Sequence, residues 1–111
     1  MAYGRGDVVL VPFPFTDLST SSVRPAVVIS RTGFEIETGD LLLAMVTSRT
    51  RSGSTDLALQ DWQAAGLIRP SWVRARVATI EEGLVLHSPG KLTDRDIAGL
   101  NSCLCLALDL P

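Results

Sequence analysis

The sequence predicts a mainly β fold closed by a single C-terminal α-helix. The sheet would be a small antiparallel barrel or curled sheet of five or six short strands, with the helix packed on it. Short apolar, β-branched runs recur up to residue 88, separated by Gly, Pro and polar clusters. Runs of that length and composition suit strands better than helices. After Thr93 the apolar spacing changes: Ile97, Leu100, Leu104 and Leu108 recur at helical intervals.

The first strand is GDVVLVPF (6–13), opening after a glycine. Pro12 and Pro14 lack an N–H, so the chain leaves the sheet there or runs along an edge. FTDLSTSS (15–22) is a polar, hydroxyl-rich loop. PAVVIS (25–30) is a buried strand, and RTGFEIETGD (31–40) is a connection with two Thr-Gly turn signals. LLLAMVTS (41–48) is the third strand, apolar until its last two residues. RTRSGST (49–55) is a flexible basic loop, DLALQ (56–60) a short alternating strand, and DWQAAG (61–66) one helical turn closed by Gly66. Ser71 to Ile80 is a strand, with Glu81-Glu82-Gly83 as a turn. LVLHS (84–88) is either a last strand or the lead into Pro89-Gly90. Thr93 and Asp96, three residues apart, resemble a capping box at the start of a helix of about four turns.

At 111 residues, with 46% apolar composition, the chain is expected to form one domain over residues 1–111 around a single modest core. No stretch approaches the length of a membrane span. The N-terminal MAYGRGD has no apolar run, so a cytoplasmic protein without a secretory signal is expected. Cys103 and Cys105, two apart on a helix, point to different faces and suit neither a disulfide nor a shared metal; two buried thiols are expected. With His87 the only histidine, a structural metal site is excluded.

The net charge of −2 argues against strong nucleic-acid binding, but its distribution does not. Residues 49–76 hold Arg49, Arg51, Arg69, Arg74 and Arg76 against Asp56 and Asp61, whereas residues 77–111 hold five acids against Lys91 and Arg95. Nine of the ten cationic residues are arginine, which suits phosphate recognition. Arg24 stands directly before Pro25 at the mouth of an apolar strand. A guanidinium there is paired with a carboxylate such as Asp17, or held to meet an anion. Phosphate loops, nucleophile elbows and zinc spacings are missing from the sequence.

RGDVVLVPFPFTD followed by VRPAVVIS and then AMVTS resembles the MazF/PemK family of bacterial toxins, over nearly the whole chain from Arg5. The resemblance implies a small β-barrel of the MazF/CcdB type. It implies a homodimeric, metal-independent endoribonuclease that cuts single-stranded mRNA at specific sequences and is held by a cognate antitoxin protein. It implies no cofactor. The family's functional arginine matches Arg24 and its functional threonine matches Thr47. In metal-free RNA cleavage the 2′-hydroxyl attacks the adjacent phosphate. Arg24 would stabilise the charge that develops, and the Thr47 hydroxyl would hydrogen-bond a phosphoryl or leaving oxygen.

Arg74 and Arg76 share strand parity and so share a face, either a plain exposed one or an RNA-binding one. With Arg49 and Arg51 they would track the RNA backbone. Ser48 would contact phosphate or cap its loop. Phe13 and Phe15 flank Pro14, where Phe15 would stack on a base and Phe13 pack in the core. Trp62 and Trp72 are expected in the core or a dimer contact, and His87 at the surface. Some relatives carry a carboxylate in the strand corresponding to SWVRARVATI, where this chain has none, so the proton-transfer group is unassigned. The alternative within the same fold class is a CcdB-like toxin that binds a protein target such as gyrase and cleaves nothing.

Overall fold

The computed structural model describes residues 2–13 and 22–111, without the side chains of Phe13 and Ser22. Residues 14–21, including Phe15 and Asp17, lie outside the described residues, and with them the expected base stacking by Phe15 and the Arg24–Asp17 pair. The elements follow in the order β1 (Asp7–Phe13), β2 (Ser22–Val28), α1 (Phe34–Thr38), β3 (Asp40–Thr47), β4 (Leu57–Ala58), β5 (Trp72–Glu81), β6 (His87–Lys91) and α2 (Asp94–Leu108). The six strands form one antiparallel sheet in the order β4-β5-β3-β2-β1-β6. It curls into a half-barrel, with α2 against one face.

The two faces carry two cores, as alternation along the strands requires. Val8, Val27, Ala44, Val46 and Val73 lie under Leu100 and Leu104 of α2. Val9, Val11, Ala26, Val28, Leu41, Leu43, Met45, Ala78 and Ile80 form the other core, with Tyr3 and Val85 packed on it. Trp62 packs against the first core, whereas Trp72 sits half-buried in β5 opposite Thr47. Leu108 is exposed, so the apolar face of α2 stops at Leu104. Cys103 and Cys105 are half-buried rather than buried, because they flank the Leu104 position that faces the sheet. Burial nevertheless raises the Cys103 thiol pKa, with a smaller contribution from Asp56.

Prolines sit where the sheet tolerates them. Pro12 lies beyond Leu10, the last β1 residue paired to β6, where β1 is an edge. Pro25 precedes Ala26, the first β2 residue paired to β3. Pro89-Gly90 lie inside β6, which starts three residues later than the last strand that LVLHS offers. β6 is the outer strand, and Ser88 and Pro89 together face Val9 in a bulge, where the Ser88 hydroxyl donates to the Val8 carbonyl at 2.9 Å.

The 31–40 connection contains α1, a short helix between Gly33 and Gly39, both with positive φ. Its buried Glu35 accepts the Tyr3 N–H at 2.7 Å and ties down the N-terminal segment.

Thr93 caps α2 without the expected capping box. Asp96, 1% exposed, turns away from its own helix end, and its two oxygens accept the N–H groups of Gln60 and Asp61 at 3.0 and 2.9 Å. Asp61 answers in the other direction. It accepts Thr93 Oγ1–H and two N–H groups of Arg95, each at 2.6 Å. These bonds to Arg95, then that to Thr93, hold the Asp61 pKa down at about 2.

Candidate active site

β2 and β3 run antiparallel with Ala26 facing Met45 as their last pair toward one rim of the sheet. Two residues further along each strand, the same register sets Arg24 across from Thr47. Both side chains then fall on the same side of the sheet. Arg24 is exposed and Thr47 half-buried. The two line the same two cavities. One, of about 230 Å³, is completed by Pro25, Val46, Ser48, Arg49, Leu67, Ile68, Arg69 and Ser71. The other, of about 350 Å³, is completed by Met45, Val46, Arg49, Arg74 and Arg76. Arg24, Thr47, Ser48, Arg49, Arg74 and Arg76 therefore each border one or both of these cavities, whereas Arg51 borders neither.

Thr47 Oγ1 accepts the Arg49 backbone N–H at 3.1 Å. That bond fixes the loop leaving β3 and orients the hydroxyl, whose own proton makes no bond among the described residues. A hydroxyl holds one donor and two acceptor sites, so one donor remains for a ligand. Ser48 is exposed next to it on the rim of the smaller cavity.

Arg74 and Arg76 sit in a bulge of β5. Ala44 pairs with Val77 and Val46 with Val73, so Met45 alone faces Arg74, Ala75 and Arg76. The extra residues kink the strand at the cavity. The bulge interrupts the alternation behind the shared-face expectation, but both arginines border the larger cavity and also a third one beside the 51–56 loop.

Arg51 behaves differently. It pairs with Asp56 at 3.5 Å, and Asp56 also accepts the Gly53 N–H at 3.1 Å. The basic loop expected to be flexible is thus braced across its base, and Arg51 is partly neutralised. Arg24, Arg49, Arg69, Arg74 and Arg76 form no ion pair with a described residue. Among the described residues no carboxylate borders the two cavities that Arg24 and Thr47 share. Five guanidiniums around such clefts, unpaired with any described carboxylate, produce a field that attracts anions. His87 is exposed on β6, opposite Leu10, and borders neither cavity.

Sequence reasoning missed the wall made by Leu67, Ile68, Arg69 and Ser71. Its signal was LIRPS, two large apolar residues outside any strand. Leu67 packs into the core and Ile68 points out. The clasp between Asp96, Asp61 and the start of α2 fixes the chain just before this wall.

No curated protein sequence matches the chain closely enough to count as a relative. Solved structures match its fold. A mycobacterial endoribonuclease in complex with its cognate antitoxin superposes with a TM-score of 0.83 at 21% identity, covering 99% of this chain and 98% of that one. The Mycobacterium tuberculosis toxin MazF-mt6 gives 0.79 at 19% identity, covering 95% and 98%. A MazE–MazF structure from Deinococcus radiodurans gives 0.81 at 17% identity, covering 100% of both chains. No helix among the described residues is long and apolar enough to cross a membrane. The model of the PemK-like, MazF-like toxins of type II toxin–antitoxin systems matches residues 4–108, and with the fold and the arginine-lined rim this shows that the chain belongs to that toxin family.

Proposed function

We propose that this chain is a sequence-specific endoribonuclease that cleaves single-stranded mRNA without a metal ion. The observation that carries the reading is that Arg24 and Thr47 line the same two cavities at one rim, among arginines that no described carboxylate neutralises. The RNA's 2′-hydroxyl oxygen attacks the adjacent phosphorus. The bond from phosphorus to the 5′-oxygen breaks, leaving a 2′,3′-cyclic phosphate and a 5′-hydroxyl. Negative charge accumulates on the phosphoryl oxygens, and Arg24 stabilises it through charge-assisted hydrogen bonds. The free Thr47 O–H donates to a phosphoryl or leaving oxygen. The guanidiniums supply positive charge of the kind a bound cation brings to phosphoryl transfer. Among the described residues no His, Asp or Glu borders these cavities, so in this reading the proton leaving the 2′-hydroxyl passes to solvent and the leaving oxygen takes its proton from water.

Ser48, Arg74 and Arg76 hold the flanking phosphates. The assembly is a cytoplasmic homodimer with two equivalent sites. Its regulator is a cognate antitoxin protein, a reading supported by the antitoxin-bound toxins among the similar structures.

The test is cleavage of a long single-stranded RNA in EDTA, beside Arg24→Ala. Discrete fragments ending in cyclic phosphate, lost in the variant at unchanged thermal stability, are expected. Intact RNA with both proteins would overturn the nuclease and leave the CcdB-like protein-binding toxin as the reading to pursue.

A further inference from the structure

Ile68 is 84% exposed, the most exposed of the large apolar side chains among the described residues. It borders the same 230 Å³ cavity as Arg24, Thr47 and Arg49. Exposed apolar residues are common singly, but this one is displayed rather than left over. Its neighbour Leu67 packs into the core, and the Leu67 N–H donates to the Trp62 carbonyl at 3.1 Å. On the other side, Ser71 Oγ donates to the Arg69 carbonyl at 2.9 Å, and the Ser71 carbonyl accepts the Leu59 N–H at 3.0 Å. The segment is therefore braced at both ends, with Ile68 turned to the cavity rim.

The cavity is divided by chemistry. Arg24, Thr47, Ser48 and Arg49 offer cationic and hydroxyl groups, while Pro25, Val46, Leu67 and Ile68 offer apolar surface. Among the described residues no carboxylate borders it, which disfavours a basic ligand. A molecule that matches both halves carries an anion attached to a flat, weakly polar body. A nucleotide within an RNA strand has that form: phosphate on one side, base on the other.

We infer that Ile68 forms the apolar floor of a nucleobase subsite, holding the base next to the phosphate that Arg24 meets. The inference rests on the RNA-cleaving reading of the same rim and adds where one base is held. Ile68 contacts the face of the base, so it contributes affinity and alignment with little discrimination among bases. A contact on a braced loop also costs little ordering on binding. Any sequence preference at that position comes from the edge, where Arg69 and Ser71 also border the cavity.

The test is a binding cycle that needs no cleavage. Short RNA oligonucleotides carrying a 2′-O-methyl group at the cut site are prepared with every base present, or with the base missing on one or the other side of the scissile phosphate. Affinity is measured by fluorescence anisotropy for the wild-type protein and for Ile68→Ala. At one of the two positions, loss of the base is expected to weaken wild-type binding about tenfold, the factor for covering most of one isoleucine side chain. In Ile68→Ala the same deletion has little further effect.

Equal losses in both proteins at both positions would overturn the subsite and leave the nuclease reading intact. Ordinary RNA left intact by the wild-type protein, with no oligonucleotide bound, would overturn both. Sedimentation of the two proteins provides the remaining control. A change of oligomeric state in Ile68→Ala would place this side chain between copies of the chain and overturn its role as a base floor.

Discussion

Gly66 and Gly90 bring two backbones into direct contact. A methyl group on Gly90 would stand 2.5 Å from the Ala65 carbonyl oxygen, and one on Gly66 would stand 2.6 Å from that of Pro89. Backbone atoms cannot swing aside as a side-chain tip does, so the turn ending at Gly66 and the edge strand β6 are locked at a spacing that only glycines permit. Gly66 also has φ of +82°, which penalises any side chain. Gly66→Ala and Gly90→Ala should each lose about 1–3 kcal/mol in urea unfolding. Because Leu67 to Ser71 follow directly, RNA binding should weaken in parallel.

Thr47 separates two roles of one hydroxyl. Thr47→Ser keeps the acceptor for the Arg49 N–H and the free O–H, so cleavage should stay within several-fold of wild type. Thr47→Val keeps the shape and removes both. Single-turnover cleavage should fall on the order of 100-fold, with a stability loss of about 1 kcal/mol from the orphaned amide. Equal rates for the two variants would remove Thr47 from the chemistry.

Arg74 and Arg76 have a salt-dependent signature. Each phosphate contact to single-stranded RNA contributes about 0.7 to the slope of log affinity against log salt. Arg74→Ala and Arg76→Ala should each flatten the slope by about that amount and weaken binding across sequences. Arg51→Ala should change it less, since Asp56 already engages that guanidinium.

Asp61 makes acid stability measurable. Its folded pKa of about 2 lies below the ordinary 3.8, so the folded state resists taking up this proton more than the unfolded chain does. The Asp61 contribution is complete above pH 4 and is lost as pH falls from 3.8 through 2. The stability gap between wild type and Asp61→Asn should therefore narrow across that window in thermal melts, and an unchanged gap would show that the Arg95 and Thr93 contacts add nothing.

Much of this architecture was legible in the sequence because it follows from period and punctuation. The alternating runs specify strands, and Ile97, Leu100 and Leu104 specify the buried face of α2. Arg24 and Thr47 were legible as polar residues at strand ends, yet their placement across from each other depends on the β2–β3 register, which is a tertiary property. Three features depend on packing that no local window reports. Pro89-Gly90 carries a turn composition but lies in a strand, because β6 is an outer strand and a bulge absorbs the proline. Asp96 has capping-box spacing but is drawn to the amides of Gln60 and Asp61. The bulge that gathers Arg74 and Arg76 is visible only once β3 is aligned beside β5.

The ends of the sheet bear on how the protein behaves at high concentration. An open sheet carries the hazard of edge-to-edge polymerisation, since an outer strand is a template for another chain. Here one outer strand, β4, is two residues long. The other, β6, is interrupted by Pro89, bulged at Ser88 and finished by the exposed Lys91. At the β6 end an incoming strand therefore finds no continuous row of donors and acceptors, whereas at the other end β4 covers only Trp72 and Val73, so among the described residues edge-to-edge growth is left to the rest of β5.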